Sequence, residues 1–255
     1  MVSNIPGADL SKPNWVVPIS AVSNEITNSM GGVGMNEQAN LDWDQFDDIN
    51  PPRFIDYAEL AFNKKYNTYH LAKDVVPAQD EYVWEFSVNA SEGITQLNWD
   101  NIAIKGDKDL ILFDLDRQKL IDMKELATYS FNAKEGNSFR IHVGKDLHDK
   151  IKPTAETLSN PFPNPTNDNA TIGFSLPESK SSYQVQLEVY NSVGQRIAVL
   201  VNGNLQAGFY TSTWDTENNK TGLYFYRLSV TANGTQKVLT RSEEHTSELQ
   251  SRGLI

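Results

Sequence analysis

The chain has no cysteine. That excludes disulfides, thiolate catalysis and Cys-ligated zinc, and it leaves the compartment open, because exported and cytosolic proteins can both do without the residue. Positive charge is also scarce: 22 Lys and Arg stand against 33 Asp and Glu, a net charge of −11. A field of that sign repels phosphate backbones and anionic lipid, so nucleic acid is not an expected partner. Long apolar runs are missing too. Stretches such as Ile197 to Val201 fall far short of the ~18–20 residues of a membrane-spanning helix. The opening residues, MVSNIPGADLSKPNW, have neither the basic start nor the apolar core of a secretory signal peptide. Either the protein is cytosolic or Met1 is an internal methionine of a longer exported chain.

What is present suffices for packed cores. Across 255 residues, 39% are hydrophobic and 22% charged, which predicts two ordinary domains rather than disorder. Strand signals dominate. In the first part, β-branched and aromatic runs bounded by turn residues cover 15–19, 82–88, 94–99, 110–115, 129–131 and 139–143. Tyr82, Trp84, Phe86 and Val88 alternate with Glu85 and Ser87, the period of a half-buried strand. Phe54 to Phe62 reads as an extended edge after Pro51-Pro52. From Asn160 onward strands recur over 171–176, 183–190, 196–201, 209–214, 222–230 and 236–240, the spacing of a β-sandwich. Asn202-Gly203 and Asn233-Gly234 are predicted hairpin turns, and Gly194 sits in a Ser-Val-Gly-Gln turn. In the 183–190 strand, Val185, Leu187 and Val189 point inward and Gln184, Gln186 and Glu188 to water.

The expected architecture is all-β: two β-sandwich domains, jelly-roll-like and then immunoglobulin-like. The first is a module over 1–144. Residues 145–159, charged and poor in aromatics, read as a linker to a second domain over 160–240.

Fold alone does not assign a function to a small sandwich. The ordered motifs do more. NPFPNPTNDNATIGFSLPE from Asn160, VQLEVYNSVGQRIAVLVNGNLQAGFY from Val185 and KTGLYFYRLSV from Lys220 together resemble the type A C-terminal sorting domain of the type IX secretion system of Bacteroidetes, a FlgD-like immunoglobulin-like fold. Pro163, Asn164 and Pro165 match the family's opening signature. Tyr190, Gly194 and Arg196 match its central hairpin, and Gly222, Tyr224, Tyr226 and Arg227 its late strand. The resemblance implies a secreted or cell-surface protein carried across the outer membrane. It implies two partners, an outer-membrane translocon and a sortase-like peptidase that removes the domain within the segment from Gly144 to Asn160.

The last residues, Arg241 to Ile255, change abruptly in composition. Arg241 to Ser251 resembles an in-frame translation of a sequencing-library adapter, so 241–255 is expected to be a non-native tail. The other reading of this stretch is a short exposed helix.

The first domain shows one chemically suggestive stretch, LDWDQFDD, in which Asp42, Asp44, Asp47 and Asp48 could converge on a calcium ion. The string lacks the glycine and terminal glutamate of an EF-hand loop. No Gly-x-Ser-x-Gly elbow accompanies His70, His142 or His148, and His142 reads as a strand-rim side chain. Asp114 and Asp116 read as a strand end rather than a glycosidase pair. The module is therefore expected to be non-catalytic, part of a larger secreted protein. Trp43, Trp84 and Trp99 raise the alternative of a polysaccharide-binding module of a secreted glycosidase. Trp84 and Trp99 lie in apolar alternation, which points instead to the core.

Overall fold

The computed structural model describes residues 8–53, 57–66, 69–90, 93–133, 137–162, 164, 166, 168–179, 182–217 and 219–245. It divides into two compact units, Met1–Asp116 with Leu120–Ile151, and Lys152–Ile255 with Arg117–Lys119.

The first unit is built from β1 (Trp15–Ser23), β2 (Ile26–Asn36), β3 (Asp48–Ile49), β4 (Ala58–Tyr66), β5 (Tyr69–Pro77), β6 (Tyr82–Ala90), β7 (Gly93–Asn98), β8 (Asp109–Asp114), β9 (Lys119–Asp122), β10 (Thr128–Ala133) and β11 (Asn137–Gly144). A four-residue helix, α1 (Leu147–Lys150), follows. The strands form a single hydrogen-bonded path, β10-β7-β1-β2-β5-β4-β6-β11-β8-β9, with β3 on β5. β2 runs parallel to β5, whereas β1–β2, β1–β7, β7–β10, β6–β11, β8–β11, β3–β5, β4–β5 and β4–β6 are antiparallel. Strands distant in this path nevertheless pack their side chains together, so the sheet folds over on itself as a sandwich. Phe131 of β10 lies 5.1 Å from Phe139 of β11, and Trp15 of β1 lies edge-on to Trp84 of β6 at 6.0 Å. Each such aromatic contact adds about 0.5–1.5 kcal/mol to the area it buries.

The second unit contains β12 (Thr157–Leu158), β13 (Asn169–Leu176), β14 (Tyr183–Asn191), β15 (Arg196–Leu205), β16 (Gly208–Asp215), β17 (Gly222–Ala232) and β18 (Thr235–His245). They form a three-stranded sheet, β12-β13-β16, and a four-stranded sheet, β15-β14-β17-β18. Alternate residues of each sheet meet in one core. Ala170, Ile172, Phe174 and Leu176 come from β13, Val185, Leu187 and Val189 from β14, and Tyr224, Tyr226, Leu228 and Val230 from β17. Trp214 of β16 lies in the middle, 4.8 Å from Tyr224 and edge-on to Tyr226 at 5.8 Å.

Several expectations meet a different structure. The stretch read as an edge is described from residue 57 onward. There it forms β4, an interior strand paired with both β5 and β6, and residues 54–56 lie outside the described residues. Asn202-Gly203 is not a turn: both residues lie within β15, opposite Gln186 and Val185. Asn233-Gly234 does form the β17–β18 hairpin, at φ of 51° and 75°. The 145–159 stretch is structured, with α1 inside it, Leu147 and Leu158 buried, and β12 paired to β13. At the far end the adapter-like stretch is not helical. β18 continues through it to His245, and 246–255 lie outside the described residues.

Candidate functional site

Strand β14 turns Val185, Leu187 and Val189 into the core, so Gln184, Gln186, Glu188 and Tyr190 take the opposite face. Glu188 was expected in water on that face, yet it is only 1% exposed. Its neighbours across the sheet cover it. Arg196 Nη1 donates to Oε1 at 2.9 Å, and Arg227 Nη2 to Oε2 at 3.0 Å. The Tyr190 hydroxyl donates to Oε2 at 2.7 Å. Arg227 Nη2 also donates to the Tyr190 oxygen at 2.5 Å, and its guanidinium lies 4.6 Å from the centre of the Tyr190 ring. Three residues of the sorting motif therefore meet on a fourth that sequence reasoning did not single out.

Burial opposes ionisation of Glu188, but the hydrogen bonds from Tyr190, Arg196 and Arg227 outweigh it and hold the carboxyl below the usual glutamate range. Burial and the hydrogen bond to Glu188 raise the Tyr190 phenol, so it stays protonated at neutral pH. Such a cluster fixes one register and rotamer set on the sheet face.

The turn that sets this geometry belongs to the same motif. Gly194 has φ of 80°, a left-handed conformation that glycine adopts without steric penalty. Asn191 Oδ1 accepts from the backbone of Val193 and Gln195, and Gln195 is next to Arg196, which the hairpin returns opposite Tyr190.

The remaining motif residues lie elsewhere. Tyr224 and Tyr226 point inward onto Trp214, and the Tyr224 hydroxyl donates to the Lys220 carbonyl at 2.6 Å. Gly222 opens β17 without a positive φ, and a Cβ there would meet no atom of the described residues within 4 Å. Asn164 is half-buried, and Pro163 and Pro165 lie outside the described residues.

In the first unit, the acidic loop uses its carboxylates to hold its own backbone. Asp44 accepts from the backbone of Asn40 and Phe46. Asp47 accepts from Asp44 N and Val75 N, and its carboxyl is raised, chiefly by burial. Asp48 pairs with Lys73 at 2.6 Å, and Asp42 is exposed. Among the described residues no group of three or more His, Cys, Asp or Glu is placed to hold a metal ion. Asp114 is fully buried and receives the Tyr129 hydroxyl at 2.8 Å, and Asp116 accepts from Ser138 N.

His70 Nδ1 faces the Phe62 carbonyl, and His148 Nε2 faces Asp122 at 3.1 Å. His142 differs from its expected rim position. Its Nε2 is buried without a hydrogen-bond partner among the described residues, and burial pushes the ring down to about 4. Trp84 and Trp99 are core residues, and Trp99 donates to the Met123 carbonyl at 2.8 Å. Trp43 is exposed, so the three do not share a sugar-stacking surface.

By fold, the C-terminal unit is an antiparallel β-sandwich, with Tyr190, Arg196, Tyr224, Tyr226 and Arg227 of the motif set on its four-stranded sheet. Residues 160–241 match the model of the family described as Secretion system C-terminal sorting domain. This part of the chain is thus a type IX sorting domain, a non-catalytic family that marks proteins for export to the cell surface or the extracellular space. No curated protein matches the chain. Among solved structures, similarity is recorded to dimeric latent PorU from Porphyromonas gingivalis, with 12% identity and a TM-score of 0.31 over 96% of this chain and 19% of that one. A β-glucuronidase from Parabacteroides merdae matches with 10% identity and a TM-score of 0.27, over 62% of this chain and 29% of that one. Likenesses this weak carry no argument. The chain spans less than a third of the length of either. Among the described residues, no helix is long and apolar enough to cross a membrane.

Proposed function

We infer that the C-terminal unit delivers the β-sandwich in front of it to the cell surface by engaging an outer-membrane translocon and a sortase-like peptidase, and that the delivered module is an accessory without catalytic activity. The observation that carries this reading is the family match over 160–241, which takes in β13 to β17 and most of β18 of a unit that has its own core. Support for a non-catalytic first module comes from its carboxylates: Asp44, Asp47, Asp48 and Asp114 each hold a structural partner. Within the segment reachable by a peptidase, Lys152, Thr154 and Ala155 are exposed, whereas Pro153, Leu158 and Ser159 are buried. Cleavage is expected at 152–155.

Residues 241–255 are read as a non-native tail. Leu239 packs against the core, and the next residue on that face, Arg241, stands opposite buried Tyr226 in the register but is itself exposed. A native strand would place an apolar side chain there.

Deleting residues 160–255 behind a signal peptide tests the reading. The truncated chain should stay in the periplasm of a type IX-competent cell, while the chain continued to position 240 and ended by an authentic sorting-domain terminus reaches the surface. Equal surface exposure of both would overturn it.

A further inference from the structure

The face of the four-stranded sheet turned away from the core combines charge and apolar surface in a way that its own packing does not require. Cross-strand neighbours share a face. Glu188 stands opposite Val199 and Arg227, Tyr190 stands opposite Arg196 and Phe225, and Arg227 stands opposite Thr240. Leu223, two residues before Phe225, joins the same face. Val199 and Leu223 are each 44% exposed, and Phe225 is half-buried.

The charge is uneven. Two guanidiniums act on one carboxylate, which leaves one positive charge on this face up to Thr240, in a chain whose net charge is −11; Glu244, opposite Leu223 in the register, belongs to the stretch read as a non-native tail. Arg196 reaches Glu188 through Nη1 alone, and Arg227 reaches its partners through Nη2 alone. Their other N–H donors have no partner among the described residues. Glu188 and the Tyr190 ring fix the position of these donors, so little side-chain entropy remains to be lost on binding. Exposed apolar and aromatic side chains beside a pre-ordered arginine pair have the composition of a protein-protein hot spot. A second copy of this acidic chain would meet the same positive face, which argues against self-association through it.

We propose that this sheet face, centred on Arg196, Tyr190, Phe225 and Arg227, is the docking surface for an acidic protein partner. The proposal rests on the sorting reading and identifies the surface through which sorting acts. The partner supplies carboxylates to the unused guanidinium donors and apolar contact to Val199 and Leu223.

Thr240 gives a test that leaves the Glu188 cluster intact, since it is exposed and adjacent to Arg227 across the strands. The full chain, carrying a signal peptide and an N-terminal reporter and ending after position 240 in an authentic sorting-domain terminus, is expressed as Thr240, Thr240→Glu and Thr240→Lys in a type IX-competent bacterium. Surface reporter is then counted by protease accessibility. Thr240→Glu should lower surface reporter by about tenfold through like-charge repulsion with the partner, and Thr240→Lys should stay within about twofold of the parent. Both purified variants should melt with the parent, which separates docking from folding.

Equal export of all three overturns the surface. Equal loss in both variants overturns the acidic partner, and so does a parent dimer that only Thr240→Glu dissociates, because the occupant would then be a second copy. Failure of the parent itself to leave the periplasm overturns the sorting reading, a result distinct from the other three.

Discussion

Replacing Glu188 by Gln keeps the shape of the side chain and removes its charge, which isolates what the ion cluster contributes. The structure supplies the terms. Glu188 accepts three hydrogen bonds at 2.7, 2.9 and 3.0 Å, two from guanidiniums. An amide offers one acceptor in place of two, so one arginine loses its partner and an NH₂ donor is left facing guanidinium. Charge-assisted bonds contribute about 1.5–3 kcal/mol each when well desolvated, but both arginines are about half exposed, so the sum is discounted to ~2 kcal/mol. For a unit of this size that corresponds to a Tm lower by on the order of 10 °C.

The pH dependence has a definite sign. The folded-state pKa of Glu188 is depressed, so its contribution is present above the unfolded glutamate value of 4.5 and is lost as pH falls through the lower folded value. Thermal unfolding of the full chain, followed by near-ultraviolet circular dichroism, should show the wild-type advantage at pH 7 and a narrowing gap below pH 4.5. No difference at pH 7, or a gap that stays constant into acid, would refute the reasoning.

Other substitutions probe other parts of the account. Trp214→Ala removes the ring between Tyr224 and Tyr226 and should cost about 3–5 kcal/mol, read as loss of the C-terminal unit's denaturant transition. Gly194→Ala forces a β-carbon into φ of 80° and should cost about 1 kcal/mol by the same assay. His142→Leu should remove an acid sensitivity. With a folded pKa near 4 against 6.5, the neutral ring loses stability as pH falls between those values, by as much as ~3 kcal/mol, and the variant should show a flatter stability curve there. Calcium should leave the Tm of the full chain unchanged, because the acidic loop's carboxylates already hold its backbone. A saturable rise in Tm would contradict that geometry.

Much of this was legible from residue patterns, for reasons particular residues make clear. Alternation named the inward face of β14, because Val185, Leu187 and Val189 form a period-two apolar series, and in the structure Tyr224, Tyr226 and Leu228 of β17 meet them in the same core. Strand β2 was not anticipated. Its ITNSMGGVGMN has little β-propensity, and its glycines serve close packing instead: a β-carbon on Gly31 would collide with the Ile19 carbonyl of the neighbouring strand. The burial of Glu188 was missed because alternation assigns a face, and only the cross-strand register shows that Arg196, Arg227 and Tyr190 cover it. The sequence signal was there in retrospect, a lone acid in an outward position flanked in the fold by two arginines from other strands. Asn202-Gly203 illustrates the opposite error, in which a strong local turn signal is overridden by an unbroken ladder with β14.

The central claim is that residues 160–241 send what precedes them to the cell surface. A signal peptide and reporter fused ahead of residues 145–240, ended by an authentic sorting-domain terminus, would be expressed in a type IX-competent strain and in its translocon-deficient sister. The account predicts reporter that external protease removes in the first strain and periplasmic reporter in the second. Periplasmic retention in both strains would contradict it.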